Sequence, residues 1–206
     1  MYLVKTPWWL RKLYAPNLTW KILTDAKEIY LTFDDGPHPT ITPFVLKCLK
    51  QYHAKATFFC IGNNVKQYPD VYQQILDEGH KVGNHTHNHV NGWKTGDIIY
   101  LKNVILARQH IESALFRPPY GRISRSQVKE LAPVFKIIMW DVLSGDFDVT
   151  LSPQKCFDNV VANTTPGSII VFHDSEKAFP RLEYTLSKVL AYFANKGYAM
   201  KSIAEV

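Results

Sequence analysis

The sequence predicts a parallel α/β fold, and three observations predict it. Apolar, β-prone runs alternate with helical patterns about seven times between residues 27 and 200. Some of these runs, such as Ala56-Thr57-Phe58-Phe59-Cys60-Ile61, are apolar without alternation, as strands buried on both faces are. The residues able to carry chemistry (Asp34, Asp35, His85, His89, Arg117, Asp146 and His173) all fall just after the ends of such runs. In a β/α barrel those ends ring one mouth.

Residues 1–26 read as an N-terminal arm whose Trp residues pack on the domain formed by 27–206. A strand over 27–33 climbs to Asp34-Asp35, where Gly36-Pro37 stops it. Thr42-Pro43 opens a helix to residue 52, with Pro43 acceptable in the first turn. The run 56–61 is a second strand, ended by Gly62. Residues 65–78 read as one helix, stopped by Gly79, and 80–84 as the third strand. A long helix over 97–114 turns Ile98, Leu101, Ile105 and Ile111 inward. A short strand, 115–117, runs into Pro118-Pro119, and Ser124 N-caps a helix to 131. Residues 134–140 form a strand that is apolar except for Lys136. Ser152-Pro153 opens a helix to 163, and 168–172 is a buried strand ending on His173-Asp174. A helix over 182–194 and a strand over 198–200 follow.

Two stretches carry the chemistry. The first is Ile29-Tyr30-Leu31-Thr32-Phe33-Asp34-Asp35-Gly36-Pro37, a strand delivering two adjacent carboxylates. Such a pair in a partly dry site needs a cation, a shared proton or an Arg. The second is Gly83-Asn84-His85-Thr86-His87-Asn88-His89, with three His in five residues. Imidazole and carboxylate together suit a borderline divalent metal such as Zn²⁺. His85 and His89 are four apart, which on a helical turn places both on one face, and Asp35 can supply a third ligand. Two His and one carboxylate leave an open position for water, whose pKa a bound Zn²⁺ lowers to about 7.

With these stretches in place, the chain resembles the polysaccharide deacetylase family, also called the NodB-homology domain or carbohydrate esterase family 4. Thr32-Phe33-Asp34-Asp35-Gly36-Pro37 is similar to its first signature and His85-Thr86-His87-Asn88-His89 to its second. Arg117-Pro118-Pro119-Tyr120-Gly121 resembles the third, Asp141 to Phe147 a variant of the fourth, and Val171-Phe172-His173 the fifth. The five stand in the family's order and cover nearly the whole chain after about residue 28. The resemblance implies a distorted (β/α) barrel of about seven parallel strands. It implies Asp35, His85 and His89 as the metal triad, with Zn²⁺ first and Co²⁺ second as the ion. Asp34 would be the general base, held by Arg117. The Tyr120 backbone N–H would face the developing oxyanion. His173 would protonate the leaving amine, with Asp146 hydrogen-bonded to its imidazole. Asp141 and Asp148 are the alternatives to Asp146.

The chain departs from the family in two places. The fourth motif usually ends in Asp-Trp and here reads Asp146-Phe147, which keeps an apolar wall but loses an indole donor. The fifth begins with Val171 rather than Leu. Phe147, Val171 and Trp140 are therefore candidate substrate-binding walls, and His87 is expected to point elsewhere. The activity implied is removal of N-acetyl groups from GlcNAc-containing poly- or oligosaccharides, chitooligosaccharide or peptidoglycan-like, through a metal-activated water. An O-acetyl xylan esterase and a non-catalytic carbohydrate-binding pseudoenzyme are the alternatives.

Composition narrows the partners. The net charge of +6 has no Lys/Arg block, and no zinc-finger spacing or other nucleic-acid motif accompanies it. A carbohydrate substrate is expected, and nucleic acid is not. Trp8-Trp9-Leu10 followed by Arg11-Lys12 offers a membrane-surface alternative for the arm. No stretch is long and apolar enough to span a bilayer. Cys48, Cys60 and Cys156 are odd in number and far apart, and read as free thiols. With no signal-peptide pattern seen, the expected location is the cytoplasm.

Overall fold

The computed structural model describes residues 2–14 and 17–204. Its elements run α1 (Trp8–Tyr14), β1 (Leu18–Thr19), β2 (Glu28–Asp34), α2 (Ile41–Gln51), β3 (Ala56–Cys60), α3 (Gly62–Gln67), α4 (Pro69–Asp77), β4 (Lys81–Asn84) and α5 (Asp97–Arg108). They continue with β5 (Leu115–Phe116), a 3₁₀ turn (Pro119–Gly121), α6 (Arg125–Leu131), β6 (Lys136–Ile138), β7 (Val142–Leu143), α7 (Pro153–Asn163), β8 (Ile169–His173), α8 (Phe179–Asn195) and β9 (Ala199–Met200).

The strands pair in the order β1-β6-β5-β4-β3-β2-β8-β7, all parallel, with β9 added at the start of β2. The sheet curls into a half-barrel of eight strands with helices outside. The two strands beyond the expected pattern, β1 and β7, are two residues each, too short to leave a periodic signal. Register explains how distant residues meet. Asp34 lies opposite Phe59 on one side and His173 on the other, Cys60 opposite Asn84, and Asn84 opposite Phe116. The residues that follow these strand ends therefore converge at one mouth.

Three parallel strands supply the centre of the core. Phe33 of β2 stacks on Phe58 of β3 at 5.1 Å and on Phe172 of β8 at 5.9 Å, all three buried. The arm serves the sheet's two free edges. Residues 4–6 run antiparallel along β7, with a Lys5–Val142 bridge and bonds from Thr6 N to Asp141 O and Leu143 N to Val4 O. Leu18 and Thr19 then pair with β6 at the opposite edge. The arm thus spans the seam that a half-barrel leaves open, covering edges that would otherwise expose unpaired backbone.

Several expectations need correction. The helix expected over 65–78 is two helices, because Pro69 starts a new one and forces Tyr68 out of helical geometry at φ −128°, ψ 58°. The helix expected over 97–114 ends at Arg108, and its inward face is Tyr100, Val104 and Ala107. Ile98 and Ile105 are 72% and 51% exposed. Apolar residues nearly encircle α5, so polar anchors choose its face: Asn84 Nδ2 donates to Val104 O, and Asn103 accepts from His87 N. The strand expected over 134–140 shrinks to β6, because Val134 N and Phe135 N close the turn after α6 on Leu131 O and Trp140 turns into the cleft wall, while Met139 N still donates to Thr19 O. Finally, of the arm's Trp residues only Trp20 packs on the domain, against the cluster of Phe116, Ile137 and Met139, while Trp8 and Trp9 are 68% and 55% exposed. The arm docks also through Lys5, Thr6 and Leu18, with Lys5 Nζ donating to the buried Asp141 at 2.9 Å. All three cysteines are free and buried.

Because Phe33 fills the space between two other rings, Phe33→Ala should cost about 3–5 kcal/mol of stability. Urea denaturation followed by circular dichroism measures it.

Candidate active site

The mouth of the half-barrel holds a cleft of about 540 Å³. Asp34, Asp35, His85, His89 and His173 line it, with Tyr120, Trp140, Phe147 and Val171 as further wall. Arg117 and Asp146 lie behind the cleft, each fully buried. The structure therefore brings the candidate metal, proton-transfer and wall residues together at one mouth.

Arg117 is at the centre of the hydrogen bonding. Its Nη1 donates to Asp34 Oδ1 and to Thr32 Oγ1, both at 2.7 Å. Its Nε and Nη2 donate to the carbonyls of Ile138 and Met139, and the guanidinium rests 4.0 Å from the centre of the Phe59 ring. Burial lowers the Arg117 pKa and the Asp34 charge opposes that fall, so this is a desolvated ion pair with its donors well served. One Asp34 oxygen is fixed in place and the other is left toward the cleft.

The backbone of Arg117 has a second task. Its carbonyl accepts from His85 Nδ1 at 2.8 Å, so the His85 proton is on Nδ1 and the lone pair is on Nε2. Burial depresses the His85 pKa to about 4, which keeps the ring neutral at pH 7. Its Nε2 faces Asp35 Oδ1 at 3.7 Å, and His89 Nε2 faces the same oxygen at 3.2 Å. Burial alone would raise the Asp35 pKa, but the surrounding His89, His173 and His85 imidazoles hold it below the usual carboxylate range.

Asp35 Oδ1 is buried and, beyond the 3.2 Å approach of His89 Nε2, has no hydrogen-bond partner among the described residues. An orphaned carboxylate oxygen opposite an imidazole lone pair is repulsive unless a cation lies between them. Ligand atoms of Asp35, His85 and His89 all lie within 4.8 Å of one another, the one such three-residue group among the described residues. The donor set fits a Zn²⁺-type ion with an open position.

His85 and His89 do not sit on a helical turn, as their spacing had suggested. They flank an irregular loop after β4, bent by Thr86 at φ 63° and His89 at φ 53°. Thr86 N donates to Asn84 Oδ1, and Val90 N donates to Thr86 Oγ1, which over-determines the loop. Asp35 (φ 80°) and Tyr120 (φ 59°) are also left-handed, so four non-glycine residues in that region surround this cleft. His87 stacks on His110 at 5.6 Å and does not line the cleft.

On the other wall, the Asp146 carboxylate takes both of its bonds from His173: Nδ1 to Oδ1 and backbone N to Oδ2, each 2.8 Å. Burial pushes the His173 pKa down, yet the Asp146 charge and hydrogen bond, aided by Asp35 and Asp34, bring it up to about 9. The two alternatives to Asp146 are engaged elsewhere. Asp141 accepts from Lys5, Ser168 and Ile169, and Asp148 accepts from Tyr2 and Thr150.

Sequence reasoning missed several residues here. Tyr2, on the arm, lines the cleft, packs tilted against Phe147 at 5.0 Å and donates to Asp148 at 2.8 Å. Arg122 and Lys177 stand at its rim. Asp174 is buried beneath Gly36, where a Cβ would come 2.1 Å from its Oδ2. Thr42 Oγ1 donates to it, and burial raises its pKa to about 7. A readable signal existed for Asp174 alone, as an acid directly after a strand end.

A profile described as polysaccharide deacetylase matches residues 21–133. A peptidoglycan-N-acetylglucosamine deacetylase of Bacillus cereus is 33% identical over 206 residues, covering 96% of this chain and 97% of that protein. The peptidoglycan-N-acetylglucosamine deacetylase PgdA of Listeria monocytogenes is 33% identical over 187 residues, 87% of this chain but 39% of its own length. Among solved structures, the Bc1960 peptidoglycan N-acetylglucosamine deacetylase bound to an aryl hydroxamate superposes with a TM-score of 0.88 at 30% identity. That match covers 96% of this chain and 95% of that one.

The His173–Asp146 pair has a pH signature. The native pKa of about 9 lies above the ordinary 6.5, so its stabilisation is full below about pH 6.5 and is lost as pH rises through about 9. In metal-free protein, unfolding free energy should fall across that window by roughly 2–3 kcal/mol more in wild type than in Asp146→Asn. Denaturation at stepped pH tests this, and equal slopes would remove Asp146 as the cause of the shift.

Proposed function

Because this chain belongs to the polysaccharide deacetylase family, we propose that it is a metal-dependent hydrolase that removes N-acetyl groups from GlcNAc-containing glycans. Peptidoglycan-like chains come first as substrate and chitooligosaccharides second, in keeping with the names of its relatives. The observation that carries this reading is the arrangement around Asp35. Two imidazoles aim at one orphaned carboxylate oxygen, between a carboxylate locked by Arg117 and a His whose pKa Asp146 raises.

Asp35, His85 and His89 would hold the ion, with Zn²⁺ first and Co²⁺ second. A divalent metal there supplies a polarised substrate carbonyl and a water acidic enough to lose its proton near neutral pH. Asp34 accepts that proton on the oxygen Arg117 leaves free, since the Arg117 bond fixes the other. The oxyanion faces the Tyr120 N–H, which has no protein acceptor among the described residues and is presented by the left-handed turn. His173, protonated because of Asp146, donates from Nε2 to the departing amine, and that amine becomes the free amino group of the sugar. Val171 and Trp140 wall the space for the acetyl methyl, and Phe147 braces the His173 ring edge-on at 5.2 Å.

Acetate release from GlcNAc oligomers should vanish on chelation and return with Zn²⁺ or Co²⁺. Turnover confined to acetylated xylan would overturn the N-acetyl assignment. Asp34→Asn and His173→Ala should each lower kcat by roughly 10²–10⁴-fold. Tyr120→Phe keeps the backbone donor and should leave kcat nearly unchanged, and a large loss there would move the oxyanion role to the phenol.

A further inference from the structure

The arm builds a second cavity, of about 270 Å³, that the reaction above does not use. It adjoins the cleft, because Tyr120, Arg122 and Trp140 line both. Leu3, Leu10, Leu18, Trp20, Trp93 and Met139 form most of its remaining wall. Two of the polar groups in that wall are engaged within the protein. Thr6 Oγ1 donates to Trp140 O at 2.8 Å, and Trp93 Nε1 donates to Ile123 O at 3.0 Å. Trp20 Nε1 has no acceptor among the described residues but is sealed from solvent. A sugar ring placed here would strip its hydroxyls of water with few partners in return, whereas hydrocarbon loses nothing.

One charge stands where the two cavities meet. The Arg122 guanidinium lies 4.0 Å over the Trp93 ring, and among the described residues it has no acidic partner. A free cation at the junction of a sugar cleft and an apolar cavity asks for an anion between a sugar and a hydrocarbon. We propose that the arm cavity is a subsite for the hydrocarbon chain of a phosphate-linked GlcNAc lipid, with Arg122 against the phosphate. This rests on the cleft being a GlcNAc deacetylase site. The arm's outer face suits a substrate held at a membrane surface: Leu3, Trp8 and Trp9 are 52%, 68% and 55% exposed, and Lys12 Nζ lies 5.1 Å over the Trp8 ring.

The test compares acetate release from GlcNAc-1-phosphate esterified with methyl or with geranyl, and from N-acetylchitotetraose. The geranyl ester should show a KM about tenfold or more below the methyl ester, with kcat little changed. Leu3→Asp, a change at an exposed position, should erase that advantage, and Arg122→Ala should raise KM for both phosphates. Geranyl phosphate alone should bind, read as a change in tryptophan fluorescence, and should compete with the geranyl ester. Equal KM values for the two esters together with no geranyl phosphate binding would overturn the proposal. So would a Leu3→Asp loss seen on the tetrasaccharide but not on the geranyl ester, which would give the cavity to a glycan chain. Silence from all three substrates would instead sink the deacetylase reading, and geranyl phosphate binding would then decide the cavity by itself.

Discussion

The buried guanidinium of Arg117 is the constraint on which the rest of this site depends. A fully desolvated cation is tolerated only with its donors occupied, and here they reach Asp34 and Thr32 on β2 and the carbonyls of Ile138, the last residue of β6, and Met139 just after it. Those strands are not neighbours in the sheet, so the side chain ties opposite walls of the half-barrel together across its interior. Its own carbonyl meanwhile fixes the His85 tautomer. The carboxylate proposed to take a proton and the imidazole proposed to face a metal are thus both set by one residue. A disturbance of Arg117 reaches both halves of the chemistry at once.

The same interior gives two histidines opposite characters. His85 is buried against a carbonyl and is driven to about 4, while His173 is buried against a carboxylate and rises to about 9. Desolvation acts on both in the same direction, so the partner decides. One ring offers a lone pair at neutral pH and the other offers a proton. Such a division of labour between identical side chains needs little beyond what sits behind each ring.

Much of this was legible in the sequence because it is carried by local order. The strand that delivers Asp34-Asp35, the His cluster, the Arg-Pro-Pro turn and the Phe-His strand end are contiguous segments, and the alternation of strand with helix places their ends together. What escaped was set by tertiary contact. The face of α5 follows from Asn84 and Asn103 rather than from its apolar period. The bend that brings His85 and His89 together comes from left-handed residues in a loop, not from a helical turn. Tyr2 could not be assigned from sequence, since nothing near it in the chain hints that residues 4–6 lie along β7. The exposed indoles of Trp8 and Trp9 ran against the usual preference of large apolar groups for burial, and only packing decides such cases.

The position of Tyr2 has a practical consequence for anyone handling this protein. Its ring braces Phe147, and its hydroxyl is bonded to Asp148 at the wall of the cleft. Anything joined ahead of that residue, whether an affinity tag, a reporter or a further domain, emerges beside the substrate entrance rather than at a remote pole. Kinetic constants obtained with an N-terminal fusion would therefore describe a partly obstructed doorway. A fusion at the opposite end, following β9, leaves it clear, because that strand joins the start of β2, away from the mouth where β2 ends in Asp34.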